Sequence, residues 1–146
     1  TVNTGDVIMS TGNVYMRNAS NPDVIKHQGD PDVTDDGTTV VSADNILTGI
    51  ITCTPTGDRS KATDTAANLV SGLSLNVNND SFDFSLINLA TSGGHNVTLT
   101  GGTGVTLVGN MVIFCQDAAD DAVSVGVGRF RVRRTGSSAV TIYRIG

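Results

Sequence analysis

The sequence predicts an all-β protein, an antiparallel β-sandwich or jelly-roll-like domain with one short helix and an extended N-terminal arm. Three observations predict it. All 14 acidic residues are Asp, none is Glu, and Thr (19), Val (18) and Gly (17) are the commonest residues. Glu favours helices, whereas Thr and Val are stiff at χ1 and suit a pleated strand. Short runs of Gly, Ser, Asn and Thr ("TSGGH", "GGTG", "GN", "TGSS") separate the apolar stretches, and these residues make turns. The apolar stretches recur every 8–12 residues or so, the spacing of sandwiches, jelly rolls and barrels. With 146 residues, the chain is long enough to bury roughly 70% of its extended surface as one domain.

Taken in order, residues 1–45 differ from the rest. "VIMSTGNVYMRN" offers a short strand or two. "NASNPDVIKHQGDPDVTDDGTT" is dense in Asn, Asp and Gly and holds Pro22 and Pro31. Proline cannot donate to a central ladder, so this stretch is expected as loop, edge or arm, ordered by a neighbour. A β-domain is expected over 46–146. "ILTGIITCT" (46–54) reads as a buried strand kinked at Gly49 and ended by Pro55 and Gly57. "TDTAANLVSGL" (63–73) reads as the helix: Thr63 or Asp64 can cap it, and Ala66, Leu69, Val70 and Leu73 fall at helical spacing. Strands follow at 81–89, 95–100, 105–109, 111–116, 127–135 and 139–145. Phe82, Phe84 and Leu86 alternate, but Ile87 and Leu89 break the pattern, which predicts a bulge near 86–87.

The residues supply little catalytic or ligand-binding chemistry. Cys53 and Cys115 each share a strand face with apolar neighbours, so both are expected as buried free thiols. Neither they nor His27 and His95 show metal-ligand spacing, and no metal or cofactor is expected. The loop holding Asp30, Asp32, Asp35 and Asp36 invites calcium but departs from the EF-hand pattern, with Asp35 where glycine and Val41 where glutamate belong. A solvated acidic loop is the better reading. No nucleophile elbow exists, and Ser92 beside His95 in "TSGGHN" reads as a turn, so no enzyme is expected. A carbohydrate-binding module would need aromatic platforms. The chain has no Trp, and its four Phe read as core. The sequons at Asn18, Asn79 and Asn96 follow from composition. The sequence contains no run of 18 apolar residues, the length a membrane-spanning helix needs, and cytoplasmic synthesis is the expectation.

Charge is the strongest asymmetry. The net charge is −5, yet residues 1–127 carry 14 acids against 4 bases, while Arg129, Arg131, Arg133, Arg134 and Arg144 crowd the last 19 positions. In "GRFRVRRT" the strand period turns Phe130 and Val132 to one side and Arg129, Arg131 and Arg133 to the other. Such a stripe can guard an edge, pair with Asp-rich segments within or between subunits, or meet an acidic protein surface. An isoelectric point near 4.6 argues against nucleic acid. Like charges on one strand face repel unless answered, so Arg129, Arg131 and Arg133 are the candidate contact residues.

The segments "ILTGIITCTPTGDRSKAT", "TAANLVSGL", "DSFDFSLINLA", "NVTLTGGTGVTLVG" and "GRFRVRRTGSSAVTIYRI", in that order, resemble a module of virion structural proteins of tailed bacteriophages, particularly marine ones. The resemblance covers residues 46–146. It implies a β-rich, non-enzymatic capsid decoration (cement) protein on the outer surface of the head, often trimeric, whose partners are the major capsid protein and its own copies. A tail or fibre component with receptor contact is the alternative. The N-terminal arm lies outside the resemblance, and its docking on the shell is expected to add contacts.

Overall fold

The computed structural model describes residues 40–91, 94–116 and 126–146 with their side chains, and the backbone of strands at 5–10, 13–18, 21–24 and 32–34. The chain is predominantly β. Strands β1 (Gly5–Ser10), β2 (Asn13–Asn18) and β3 (Asn21–Val24) form an antiparallel sheet of their own. Pro22 lies on its edge strand, the place in a sheet where proline is tolerated. β4 (Asp32–Thr34) joins a six-stranded sheet of order β4-β5-β7-β11-β12-β9, built with β5 (Ile50–Cys53), β7 (Ser81–Asn88), β9 (Val105–Val108), β11 (Val127–Gly136) and β12 (Ala139–Arg144). β6 (Arg59–Ala62), β8 (Val97–Thr100) and β10 (Val112–Ile113) form a smaller sheet.

The six-stranded sheet and the β6-β8-β10 sheet are mixed rather than antiparallel. β4–β5, β5–β7, β6–β8 and β9–β12 pair in parallel. Parallel neighbours require the chain to return to the same end before pairing. Between β5 and β7 that return is made by β6 and the helix α2 (Ala66–Gly72).

The stretch expected as one strand over 46–54 divides in two. Residues Ala43–Leu47 form a helix, α1, because Ser42 and Asn45 make a reciprocal cap. Ser42 Oγ accepts from Asn45 N at 3.2 Å, and Asn45 Oδ1 accepts from Ser42 N at 2.7 Å. Gly49, at φ +78°, then turns the chain into β5, a left-handed conformation that glycine adopts without a Cβ clash. The kink expected at Gly49 is thus a helix-to-strand junction. The boundary expected at residue 45 falls inside α1, and Val41 and Ala43 before it are buried in the core.

Helix α2 starts later than expected and is capped by Thr65, whose hydroxyl accepts from Asn68 N. Thr63, an expected cap, instead bridges to Val41 and accepts from Gly102 N through Oγ1 at 2.9 Å. Asp64, the other, supports the cap by accepting from Thr65 N and Asn68 Nδ2.

No register shift occurs at 86–87 in either partner of β7. Alternation continues through Phe84, Leu86 and Asn88, all buried, because a polar residue occupies the third inward position. Asn88 Nδ2 donates to the carbonyls of His95 (2.8 Å) and Ile113 (3.2 Å), and its Oδ1 accepts from Ala90 N (3.0 Å). The irregularity lies instead between Arg134 and Gly136, where β11 meets β12.

One core joins the elements from α1 onward. The inner face of the large sheet contributes Ile51, Cys53, Phe84, Leu86, Phe130, Val132, Val140 and Ile142. Val97, Leu99 and Ile113 of the small sheet and Ile46, Ala66 and Leu69 of the helices pack with them. Burying such side chains is the main favourable term in folding. Cys53 and Cys115 are buried free thiols.

Candidate interaction face on the large sheet

The register of the large sheet decides what each arginine meets. β11 turns Phe130 and Val132 into the core and Arg129, Arg131 and Arg133 outward. Phe130 stacks on Phe84 with ring centroids 5.3 Å apart. Its ring lies over Gly128, where a Cβ would come within 2.7 Å of Cε2 and 2.9 Å of Ile113 Cγ1. Glycine is therefore what allows the aromatic anchor under the arginine ribbon.

On the outer face the three candidate residues stand in line, each opposite a different neighbour. Arg131 faces Asp83 across the β7–β11 pairing. The two form a bidentate pair, Nε to Oδ1 at 2.7 Å and Nη2 to Oδ2 at 2.8 Å. The hydrogen bond to Asp83, and then its charge, raise the Arg131 pKa above the ordinary guanidinium value, so Arg131 stays charged at any accessible pH. With side chains 49% and 42% exposed, this pair orients more than it stabilises. Arg133 faces Ser81 and donates through Nη2 to Asn79 Oδ1.

The remaining C-terminal arginines serve the fold. Arg134 donates to the carbonyls of Leu75 (2.8 Å), Asn76 and Gly136 (3.1 Å), tying the loop after α2 to the β11–β12 hairpin. Asp80 closes that loop by accepting from Asn76 N and Val77 N. Arg144 donates to the carbonyls of Val112 (2.6 Å), Gly146 (3.0 Å), Asn110 and Val127 (both 3.2 Å), and its guanidinium sits 5.7 Å from the Phe130 ring centroid. One side chain thus satisfies carbonyls from several segments, and a cation–π contact adds to it.

Arg129 is different. Its row across the sheet runs Ile50, Ser85, Arg129 and then Ile145, with no acid in it. Among the described residues its guanidinium has no hydrogen bond or ion pair. It lines an open cleft of about 210 Å³ with Gly49, Ile50, Asp83, Phe84, Ser85 and Ile145. Ile50 and Ile145 are 38% and 45% exposed. No outward residue of the described strands of this sheet, from Ile50 and Thr52 across to Thr106 and Val108, is buried. Among the described strands, the outer face is partly to fully exposed.

The other sites weighed from sequence lie elsewhere. His95 is half-buried, while Ser92, His27 and the loop residues Asp30, Asp35 and Asp36 fall outside the described residues, as does the Asp32 side chain. No three His, Cys, Asp or Glu side chains gather to hold a metal among the described residues, and no described helix is long and apolar enough to cross a membrane. Sequence reasoning missed two buried polar residues, Asn88 and Lys61. Lys61, only 1% exposed, lies on β6 opposite Leu99. Among the described residues no buried side-chain nitrogen or oxygen lacks a hydrogen-bond partner. The run "RSKA" has no apolar alternation to mark a strand, and nothing in it marks the lysine as inward. No family model, curated protein or solved structure matches the chain.

Proposed function

We propose that this chain is a non-enzymatic structural protein of a tailed-phage particle, a decoration (cement) protein that sits on the outside of the head and reinforces the shell. The observation that carries the reading is the open face of the large sheet. Its inner face is packed, whereas its outer face presents a line of arginines among half-exposed Ile50, Ile145, Val108 and Tyr143. A mixed apolar and cationic face of this kind suits protein contact. The resemblance of residues 46–146 to phage virion proteins supplies the setting, and the charge split supplies the selectivity.

In this reading the chain works as a homotrimer. Its sheets form a sandwich-like body whose open face meets sister copies and the major capsid protein. Each contact is weak, and repetition over the shell makes attachment firm through effective concentration. The residues before β4 add contacts beyond the body. Electrostatic pairing sets orientation and on-rate more than affinity. The test is re-addition of purified protein to phage heads stripped of it, followed by co-sedimentation. Saturable binding that weakens with salt and protects heads against heat is expected. Binding only to tails would move the chain to the fibre class, and no binding to either would refute the proposal.

A further inference from the structure

The described residues hold one acid and one cation whose side chains lack a partner, and the two complement each other. Asp58 accepts from Asn96 N, Asp64 and Asp80 accept from their local backbone, and Asp83 pairs with Arg131. Asp44, exposed in the first turn of α1, has no hydrogen bond or ion pair among the described residues. Arg129 stands in the same condition on the outer face of the large sheet. α1 buries Ala43 and Ile46 in the core on the inner side of that sheet. The two free charges therefore belong to different layers of one chain.

We propose that Asp44 of a second copy enters the Arg129 cleft, so that copies associate head to tail. The inference rests on the reading of the open sheet face as a docking surface, and it names the self-contact. The cleft suits a short carboxylate in size and chemistry. At about 210 Å³ it lies below the roughly 300–1,000 Å³ typical of small-molecule sites and has room for a short side chain. Arg129 offers a planar fork that stays charged and matches a carboxylate. The Ser85 hydroxyl opposite it is a second donor. Ile50 and Ile145 on either side are exposed in the single chain, and covering them on docking would raise the worth of the charge pair. Asp83 also lines the cleft, but both its oxygens are held by Arg131. With Asp83 answered by Arg131, Arg129 is the uncompensated charge at the cleft.

The contact is heterologous, since different patches meet on the two copies. Such contacts close into rings when the rotation permits. A cyclic trimer follows this logic; an isologous dimer does not.

The test is sedimentation equilibrium of the purified full chain over a range of concentration and salt, with binding to stripped heads measured in parallel. Wild type is expected to self-associate, more weakly in high salt. Arg129→Asp and Asp44→Arg are each expected to raise the dissociation constant at least tenfold, and the double reversal is expected to restore it. Asp44→Asn, which keeps the size of the residue at the start of α1, should weaken association with an unchanged urea midpoint. A monomeric wild type, singles that associate as wild type does, or a double reversal that stays monomeric would each overturn the inference. Head binding that persists through such an outcome removes the self-contact but leaves the decoration role standing. Its absence from wild type would refute that function separately.

Discussion

Replacing Asn88 tests whether a single buried amide holds the two sheets together. Asn88 is fully buried on the inner side of β7 and spans three backbone groups. In Asn88→Ala, the Ala90 N–H loses its acceptor and the Ile113 carbonyl loses a donor, both in buried surroundings. Each such loss costs about 1–3 kcal/mol. The His95 carbonyl is only partly buried and regains water. Together with the void left by the amide, the expected loss is about 3 kcal/mol. Urea denaturation followed by circular dichroism measures it, with the slope expected to stay constant while the midpoint falls. Asn88→Asp adds a pH signature. A carboxylate there has no proton to give to two carbonyls, so the folded state raises its pKa above the unfolded value of about 3.9. That variant is then most stable below the unfolded value and loses stability as pH rises through the folded one. A loss below about 1 kcal/mol in Asn88→Ala, against the buried-group penalty, would refute the role given to this residue, as would a pH-independent Asn88→Asp.

Gly128→Ala should destabilise by about 1–3 kcal/mol, since overpacking against Phe130 forces the ring or the strand to shift; near-UV circular dichroism and urea midpoints check it. Asp83→Asn should leave the melting temperature nearly unchanged and remove what little salt dependence the Arg131 pair contributes, because both partners are exposed. Cys53 and Cys115 should resist a thiol reagent in native buffer and react together on unfolding; prompt labelling of either would contradict their burial.

The sequence made the long antiparallel strands legible because alternation is local. β7, β11 and β12 lie within a residue or so of their expected bounds. The helix was legible from Ala66, Leu69 and Leu73, but its start was not, because the pairing of Thr63 with Val41 is a tertiary event. α1 was hidden because "ILTGIITC" is as apolar as a strand, and its cap uses Asn45 where Glu or Gln would have announced it. The Asn88 position read as a bulge because a polar residue on the inner face looks like a change of face. Parallel pairing was invisible, since nothing local shows which distant strands become neighbours.

The candidate site divides in the same way. That Arg129, Arg131 and Arg133 share a face follows from the two-residue period. Which of them is satisfied depends on register: Arg131 meets Asp83, whereas Arg129 meets Ser85.

The proposed function makes the exposed face of the large sheet an assembly surface on a phage head. Cryo-electron microscopy of the purified virion tests it most directly. The account predicts density for a 15.0 kDa β-domain on the outer shell, in threefold groups, with the β7–β11–β12 face turned toward neighbouring subunits. Density confined to the tail, no such density, or a domain whose arginine face points into solvent would contradict it.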